Sequence, residues 1–279
     1  MPNPKLEREY ALDHLQPEVN YLPAWKTRSA AFRATAQGQV DLSYGVSPRD
    51  RLDYFPAANA GSAPTLIFIH GGWWQRGDKS FYSFLAEPFL AKGISFAAIN
   101  YDFCPHVRIS QIVEQNFRSI DWLDNNIDTL GGNREKLVIV GHSAGGHLAG
   151  MMTTTDAAPG ARRLRRGMLK GAVLLSGLFD LEPLLEISVN DLLRLVPEEA
   201  RAHSPIKRGS SLVERLVIGC GQEESAEFNR QSDAYVAARK MAGDDVCRIS
   251  VTGNHFDIIN ELGDPDSPLF QTTVQIATV

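Results

Sequence analysis

A G-x-S-x-G motif is the strongest chemical signal in the sequence. Residues 141–145 are GHSAG and directly follow the apolar run Lys136–Val140. A serine on a sharp turn between a strand and a helix has its hydroxyl clear of the sheet, close to helix N–H groups that favour negative charge. The pattern therefore predicts Ser143 as a nucleophile; the alternative is a glycine-rich turn whose serine has no chemical role.

A second glycine-rich turn, HGGWW at residues 70–74, follows another apolar run. Acyl transfer places negative charge on the carbonyl oxygen, and fixed N–H donors must stabilise that charge. We expect these donors to be the backbone N–H groups of Gly72, Trp73 and Ala144, with the Trp73 ring toward the substrate and Trp74 packed inward. The alternative is a tight turn with two core tryptophans.

The serine needs a base, and His255 has the best position among the seven histidines. It lies late in the chain, just after an apolar run, where a nucleophile–acid–base order places the base. The acid is expected after the run Arg215–Gly219, where the sequence offers Glu223 and Glu224 but no aspartate. Neighbouring side chains in an extended turn point apart, so only one of the two can serve, and the residues alone leave the choice open.

Composition excludes several functions. The 279 residues include 28 Lys+Arg and 33 Asp+Glu, for a net charge of −5, which argues against a general nucleic-acid binder. One basic cluster is expected to be a solvated face; it comprises Arg162, Arg163, Arg165, Arg166 and Lys170. The three cysteines show no metal-ligand spacing, and no long apolar segment is present, so we expect a reduced, cytoplasmic protein without a metal.

Strand-like and helix-like runs alternate along the chain, which predicts an α/β fold. We expect a mostly parallel central sheet of about eight strands with helices on both faces, in a single domain spanning residues 1–279. The predicted strands are Val40–Tyr44, Arg51–Phe55, Thr65–His70, Ile94–Tyr101, Leu137–Val140, Gly171–Ser176, Arg215–Gly219 and Val246–Val251. The predicted helices are Ser80–Lys92, one capped by Ser110 that ends near Ile127, one after Ser143, Ala226–Ala242 and the tail after His255.

The motifs HGGWW, GHSAGGH and the late NHF together resemble the α/β-hydrolase superfamily. Within it the chain is similar to the arylformamidase, or kynurenine formamidase-like, group, which carries HGGxW, and the resemblance covers most of the chain. It implies Glu224 as the acid and a cofactor-free serine hydrolase that cleaves a small aryl formamide such as N-formylkynurenine, or an ester. A general short-chain carboxylesterase and a non-catalytic hydrolase-fold binding protein are the alternatives.

The remaining expectations concern the pocket and its surroundings. Trp73, His142 and Phe256 are predicted to contact the substrate. Residues 1–37 are expected to cover the site, and residues 181–208 to form a small lid-like insertion. We expect a small-molecule amide or ester as the partner, with no nucleic acid and no membrane; a homodimer is the oligomeric state to test.

Overall fold

The computed structural model describes residues 2–58, 61–154 and 164–278. Eight strands form one sheet in the order β1-β2-β4-β3-β5-β6-β7-β8. They are β1 Gln39–Ser43, β2 Arg51–Phe55, β3 Thr65–Ile69, β4 Ser95–Ile99, β5 Leu137–His142, β6 Leu169–Leu175, β7 Arg215–Gly221 and β8 Val246–Val251. Strand β2 pairs antiparallel with β1 and β4, and the other pairs are parallel, as the alternation of runs predicts.

Helices cover both faces of this sheet. In the described part of the chain they are α1 Pro4–Tyr10, α2 Pro17–Asn20, α3 Leu22–Thr35, α4 Ala86–Ala91, α5 Ile109–Asn126, α6 Ala144–Met152, α7 Asn190–Leu193, α8 Pro197–Ala202, α9 Ala226–Met241, α10 Asp257–Leu262 and α11 Pro268–Thr278. Short 3₁₀ segments lie at Asp13–Leu15, Lys79–Leu85, Glu182–Glu186 and Pro205–Lys207. None of the helices in these ranges is long and apolar enough to cross a bilayer.

The central strands are buried from end to end, because helices pack on both of their sides. Strands β3, β4 and β5 are buried at every position. The buried side chains form two apolar clusters. One includes the inward-facing side chains of α5, and the other includes side chains of α11 together with Trp25. Parallel strands covered on both faces consist of continuous apolar residues rather than alternating ones, and this is why their positions could be predicted.

The predicted helix Ser80–Lys92 is wrong in its first half, which is the 3₁₀ segment Lys79–Leu85. The Ser29 hydroxyl of α3 donates to the Phe81 carbonyl at 2.8 Å and accepts from the Phe84 N–H at 3.1 Å. These backbone groups therefore have a partner outside the segment, and an α-helical ladder forms only from Ala86 onward.

Ser110 is not the cap of α5, contrary to the prediction. The helix begins at Ile109, and Arg108 occupies the capping position. The side-chain oxygen of Gln111 accepts from the Arg108 N–H at 2.8 Å, which satisfies the group left open at the helix start. In the basic cluster, Arg165 pairs with Asp124 and Lys170 with Glu214, whereas Arg162 and Arg163 lie outside the described residues.

Candidate active site

Ser143 lies on a strained turn at the carboxyl end of β5. Its backbone has φ 57° and ψ −122°, a region that residues other than glycine rarely adopt. The turn connects β5 directly to α6, so the side chain stands at the N-terminus of that helix. The predicted strand–turn–helix arrangement around this serine is therefore present.

At the two glycines of the motif, neighbouring backbone groups lie too close to leave room for a side chain. A Cβ on Gly141 would lie 2.1 Å from the Gly145 carbonyl oxygen. A Cβ on Gly145 would lie 2.0 Å from the Ile69 carbonyl oxygen, in the neighbouring strand. Any larger residue would push α6 away from β3 and β5 and would change the direction of the Ser143 side chain.

The turn after β3 faces the Ser143 turn. Gly71 is so close that a Cβ there would lie 2.9 Å from the Ser143 Cβ. Trp73 has φ 57° and Gly72 has φ 117°, so the turn holds several residues in the left-handed region. In the part of the chain that the structure describes, the backbone N–H groups of Gly72, Trp73 and Ala144 donate to no protein acceptor.

His70 supports this turn from beneath. Its Nδ1 donates to the Gly71 carbonyl at 2.7 Å, and the Tyr101 hydroxyl donates to the His70 carbonyl at 2.7 Å. The ring is fully buried, and burial lowers the pKa of His70 to about 4. A neutral, stacked imidazole at this position serves to hold the turn.

Glu224 and His255 form a buried pair. The Glu224 Oε2 lies 2.6 Å from the His255 Nδ1, and both side chains are almost fully buried. The second carboxylate oxygen accepts from the Ser176 hydroxyl at 2.5 Å and from the Gly221 N–H at 2.7 Å. Burial raises the pKa of Glu224, but the attraction of His255 and these hydrogen bonds outweigh it and lower the pKa to about 2.

The tautomer of His255 follows from this contact. A carboxylate only accepts hydrogen bonds, so the proton on a neutral His255 ring resides on Nδ1. The Nε2 atom then carries a lone pair, which is the state that a general base requires. Glu223, the competing residue, is exposed and lies outside this network.

His142 joins the nucleophile turn to the histidine loop. Its Nε2 donates to the His255 backbone carbonyl at 2.8 Å, and the two rings lie 4.7 Å apart between centroids. Burial, reinforced by the charge of His255, lowers the pKa of His142 to about 3. The ring is therefore a neutral spacer that positions the His255 backbone.

Ser143 and His255 line one cavity of about 170 Å³. The three residues predicted to contact substrate, Trp73, His142 and Phe256, line it as well. An apolar cavity of about 150 Å³ accommodates a benzene ring, so this space suits a single small aromatic group and its substituent. No group of three or more His, Cys, Asp or Glu residues that could hold a metal ion occurs among the described residues.

The N-terminal segment forms the outer wall of this cavity. Leu12, Pro17 and Leu22 line it together with Glu18 and Lys26. The prediction that residues 1–37 cover the site did not specify which side chains line the cavity, because short helices with mixed polarity give no chemical pattern. Residues 181–208, by contrast, contribute nothing to the lining, and a lid role for them stays a prediction.

Aromatic contacts connect this segment to the reacting groups. The Tyr10 ring packs edge-on against Trp73 and against Phe228, whose ring lies 4.7 Å from that of His255. Ser176, which holds Glu224, was also missed as a site residue. The strand order was the signal that could have found it, because β6 lies between the strands that end at Ser143 and at Glu224.

This sheet order, with a serine on a strained β5–α6 turn and a buried carboxylate–histidine pair after β7 and β8, defines an α/β-hydrolase. The comparisons with known proteins narrow the class further. The kynurenine formamidase of Danio rerio is 31% identical over 278 residues, covering 95% of this chain and 92% of the relative. That of Salmo salar is 33% identical over 266 residues, covering 92% and 88%.

A family model and a solved structure agree with these matches. The BD-FAE family model matches residues 52–169. The crystal structure of a protein from Silicibacter sp. TM1040, provisionally named a thioesterase, superposes with a TM-score of 0.83 at 30% identity and covers 99% of both chains. The chain therefore belongs to the kynurenine formamidase family of α/β-hydrolases, and it is a hydrolase of the arylformamidase and esterase group.

Proposed function

We propose that this protein hydrolyses a small aryl formamide, of which N-formylkynurenine is the leading example, through a formyl-enzyme intermediate. Ser143 is the nucleophile, His255 the general base and acid, and Glu224 the acid of the triad. The observation that carries the proposal is the 2.6 Å contact between Glu224 and His255 beside the Ser143 turn, in a member of the kynurenine formamidase family.

In the first half-reaction the Ser143 Oγ attacks the formyl carbon and its proton passes to His255 Nε2. The imidazolium that forms is stabilised by Glu224, which stays ionised because its pKa is held near 2. The tetrahedral intermediate carries a negative oxygen. Because the N–H groups of Gly72, Trp73 and Ala144 have no protein acceptor among the described residues, they are free to donate to that oxygen.

Collapse of the intermediate breaks the carbon–nitrogen bond. His255 returns its proton to the leaving arylamine, and the formyl group remains esterified to Ser143. A water molecule then attacks the formyl carbon while His255 Nε2 accepts its proton. The second intermediate collapses to formate and regenerates the Ser143 hydroxyl, with His255 as the proton donor.

A short-chain carboxylesterase is the second candidate, because the same groups cleave an ester without any change of geometry. To separate the two, kcat/KM is measured for N-formylkynurenine and for p-nitrophenyl acetate. We expect a higher kcat/KM for the formamide. A clear preference for the acetate ester would favour the esterase and would contradict the formamidase proposal.

The Ser143→Ala variant tests the mechanism itself. We expect turnover of both substrates to fall to a residual acceleration of about 10³–10⁴-fold over the reaction in water. Substrate binding and the N–H donors supply this remaining acceleration. The matched control is Ser43→Ala, on the exposed edge strand β1, which should retain full turnover. Labelling of wild-type protein, but not of Ser143→Ala, by a fluorophosphonate is expected; an unlabelled wild type would favour a non-catalytic binding protein.

A further inference from the structure

The mouth of the active-site cavity carries three charged side chains that the mechanism does not use. Glu18 lies on α2, Lys26 on α3 and Arg76 in the turn after β3, and all three line the cavity. Each is exposed, and none forms an ion pair within the described ranges of the chain. The mouth therefore presents both signs of charge without ion-pair partners among the described residues.

Two other charged side chains near the site have ion-pair partners. Lys79, which is buried below the turn after β3, contacts Asp41 at 2.6 Å and Asp53 at 2.8 Å. Arg230 holds Glu227 through two hydrogen bonds of 2.7 and 2.6 Å. In the described part of the chain, Glu18, Lys26 and Arg76 thus lack the ion pairs that Lys79 and Arg230 have, and their charges are available to a ligand in the cavity.

The positions of the three groups are set by the surrounding structure. Lys26 lies one helical turn after Leu22, so both face the cavity, and its Nζ is 4.4 Å from the centre of the Phe81 ring in the cavity wall. Arg76 belongs to the turn that presents the Gly72 N–H, because its own N–H donates to the Gly72 carbonyl at 3.1 Å. Glu18 is near Tyr82: burial and then the Glu18 charge raise the pKa of that tyrosine.

We propose that Glu18, Lys26 and Arg76 determine specificity by recognising an α-amino-acid group on the substrate. Lys26 and Arg76 bind its carboxylate and Glu18 its ammonium, while the aromatic ring fills the apolar cavity and the formyl group reaches Ser143. This inference rests on the proposed aryl formamidase function. A carboxylate alone would need only the two cations, and Glu18 would repel it; a zwitterion satisfies all three charges.

The experiment compares three aryl formamides on each variant. The substrates are N-formylkynurenine, its des-amino analogue, which keeps the carboxylate, and neutral formanilide. The readout is a selectivity ratio, the kcat/KM of a charged substrate divided by that of formanilide. Because every rate passes through Ser143 and His255, division by the formanilide value removes any general loss of activity.

Replacement of the cations should lower this ratio for N-formylkynurenine. We expect Arg76→Gln and Lys26→Gln each to reduce this selectivity ratio about five- to twentyfold, mainly by raising the KM for N-formylkynurenine. This is the size of effect expected when a charged hydrogen bond that is partly exposed to solvent is lost. Arg76→Lys keeps the charge and should retain most of the ratio. The matched controls are Lys92→Gln and Glu87→Gln, exposed charges at α4 that do not line the cavity, and neither should move it.

Replacement of Glu18 should have effects of opposite sign on the two charged substrates. Glu18→Gln is expected to lower the ratio for N-formylkynurenine about fivefold and to raise it for the des-amino analogue, because the repulsion of the lone carboxylate is removed. A change of packing alone would move both ratios in the same direction. Salt should also reduce the wild-type ratio, since the screening length falls from about 30 Å at 0.01 M to about 3 Å at 1 M.

The possible failures can be told apart. If wild-type protein hydrolyses neither formanilide nor N-formylkynurenine, the proposed function is wrong and this inference falls with it. If it hydrolyses both and the three charge-removing variants leave the ratios unchanged, the inference alone is wrong. A fall in the ratio for both charged substrates in Glu18→Gln would assign Glu18 a structural role instead.

Discussion

Two regions of the molecule meet at the cavity and hold their side chains in different ways. At the carboxyl edge of the sheet, Ser143, Glu224 and His255 are buried, and their turns are held by close backbone contacts and short hydrogen bonds. The N-terminal segment, residues 2–36, is attached by buried aromatic side chains and by side-chain hydrogen bonds, and it presents exposed residues to the cavity mouth. In the proposed function, the first region performs the chemistry and the second selects what enters the cavity.

Hydrogen bonds attach the N-terminal segment to the rest of the fold on both sides of residues 11–20. The Tyr10 hydroxyl donates to Glu227 at 2.8 Å and accepts from Gln231 at 2.6 Å. Tyr21 accepts from Asn254 at 2.8 Å, and the Trp25 indole N–H donates to Asn260 at 2.9 Å. Between these anchors, the hydrogen bonds of residues 11–20 are local, so the stretch that carries Glu18 is held mainly by packing.

Residues 181–208 differ from both regions. They contact the N-terminal segment at its outer side, where the Glu186 carbonyl accepts from the Asn3 N–H at 2.7 Å and Glu7 accepts from the Ser188 N–H at 2.9 Å. They line no part of the cavity. We therefore expect residues of the N-terminal segment, rather than residues 181–208, to influence substrate binding directly.

The largest expected effect is the loss of kcat on replacement of Glu224, at the carboxyl edge of the sheet. Glu224→Gln should lower kcat by about 10⁴-fold for charged and neutral substrates alike, because an amide neither stabilises the His255 cation nor fixes its tautomer. Glu223→Gln is the matched control and should change kcat little, since that side chain is exposed. The measurement is steady-state turnover of both variants on formanilide and N-formylkynurenine.

The opposite pattern would contradict this assignment. If Glu223→Gln is the inactive variant, the acid is the exposed residue and the buried contact has only a structural role. If both variants remain active, the carboxylate that serves His255 lies elsewhere in the chain. A loss confined to N-formylkynurenine would break the division between chemistry and selection.

The next prediction concerns two neighbouring tryptophans, whose replacement should have different effects. Trp74 is fully buried and packs edge-on against His147, with 5.0 Å between ring centroids, so Trp74→Ala should lower the free energy of unfolding by about 3–5 kcal/mol. Trp73 is half-buried and lines the cavity, so Trp73→Ala should mainly change the ratio of kcat/KM between substrates. Urea denaturation and kinetics on both variants test this; equal losses of stability would contradict it.

Acid should destabilise the carboxyl edge before the carboxylates titrate. Burial lowers the pKa of His70 to about 4 and that of His142 and His147 to about 3. The unfolded chain binds protons at these residues below about pH 6.5, whereas the folded chain does not, so the free energy of unfolding falls as pH falls. Between pH 7.5 and 5.5 each such histidine should remove about 1.4 kcal/mol.

The pH effect can be checked one histidine at a time. His147 Nε2 donates to the His203 carbonyl at 2.7 Å, and His147→Gln keeps a donor for that carbonyl. In this variant the free energy of unfolding should fall by about 1.4 kcal/mol less between pH 7.5 and 5.5 than in the wild type. His14→Gln, at an exposed position of the N-terminal segment, should leave it unchanged. A wild-type free energy of unfolding that stays constant over this interval would contradict the prediction.

The carboxyl edge could largely be predicted from sequence because its constraints are local. Gly141 and Gly145 are needed for the approach of adjacent strands and α6, and they leave a recognisable motif. The choice between Glu223 and Glu224 could not be made from residue types alone, because Ser176, which donates to the buried carboxylate, lies far away in the sequence, directly after β6. The resemblance to a known family favoured Glu224, and the geometry brings that residue to His255.

The N-terminal segment was predictable only in part. The sequence predicts that residues 1–37 cover the site, and Tyr10, Tyr21 and Trp25 of this segment all make tertiary contacts. Glu18 and Lys26 gave no signal, since an exposed charge on a short helix is the most ordinary feature of a surface. Their significance depends on the position of the cavity, which only the assembled fold defines.

The smallest expected effect tests how the N-terminal segment is attached. Tyr21→Phe removes the hydroxyl that accepts from Asn254, while the ring can stay 5.3 Å from Phe256 and the Asn254 Oδ1 still accepts from the Phe256 N–H. The loss of one such hydrogen bond costs about 1 kcal/mol, which should appear as a rise in KM of up to about fivefold with kcat nearly unchanged. The control is Ser188→Ala, which weakens only the outer contact with Glu7 and should not alter KM. A comparable rise in KM for Ser188→Ala would support a covering role for residues 181–208, which do not themselves line the cavity. A fall in kcat for Tyr21→Phe would mean that Tyr21 acts on the His255 loop instead of on the entrance.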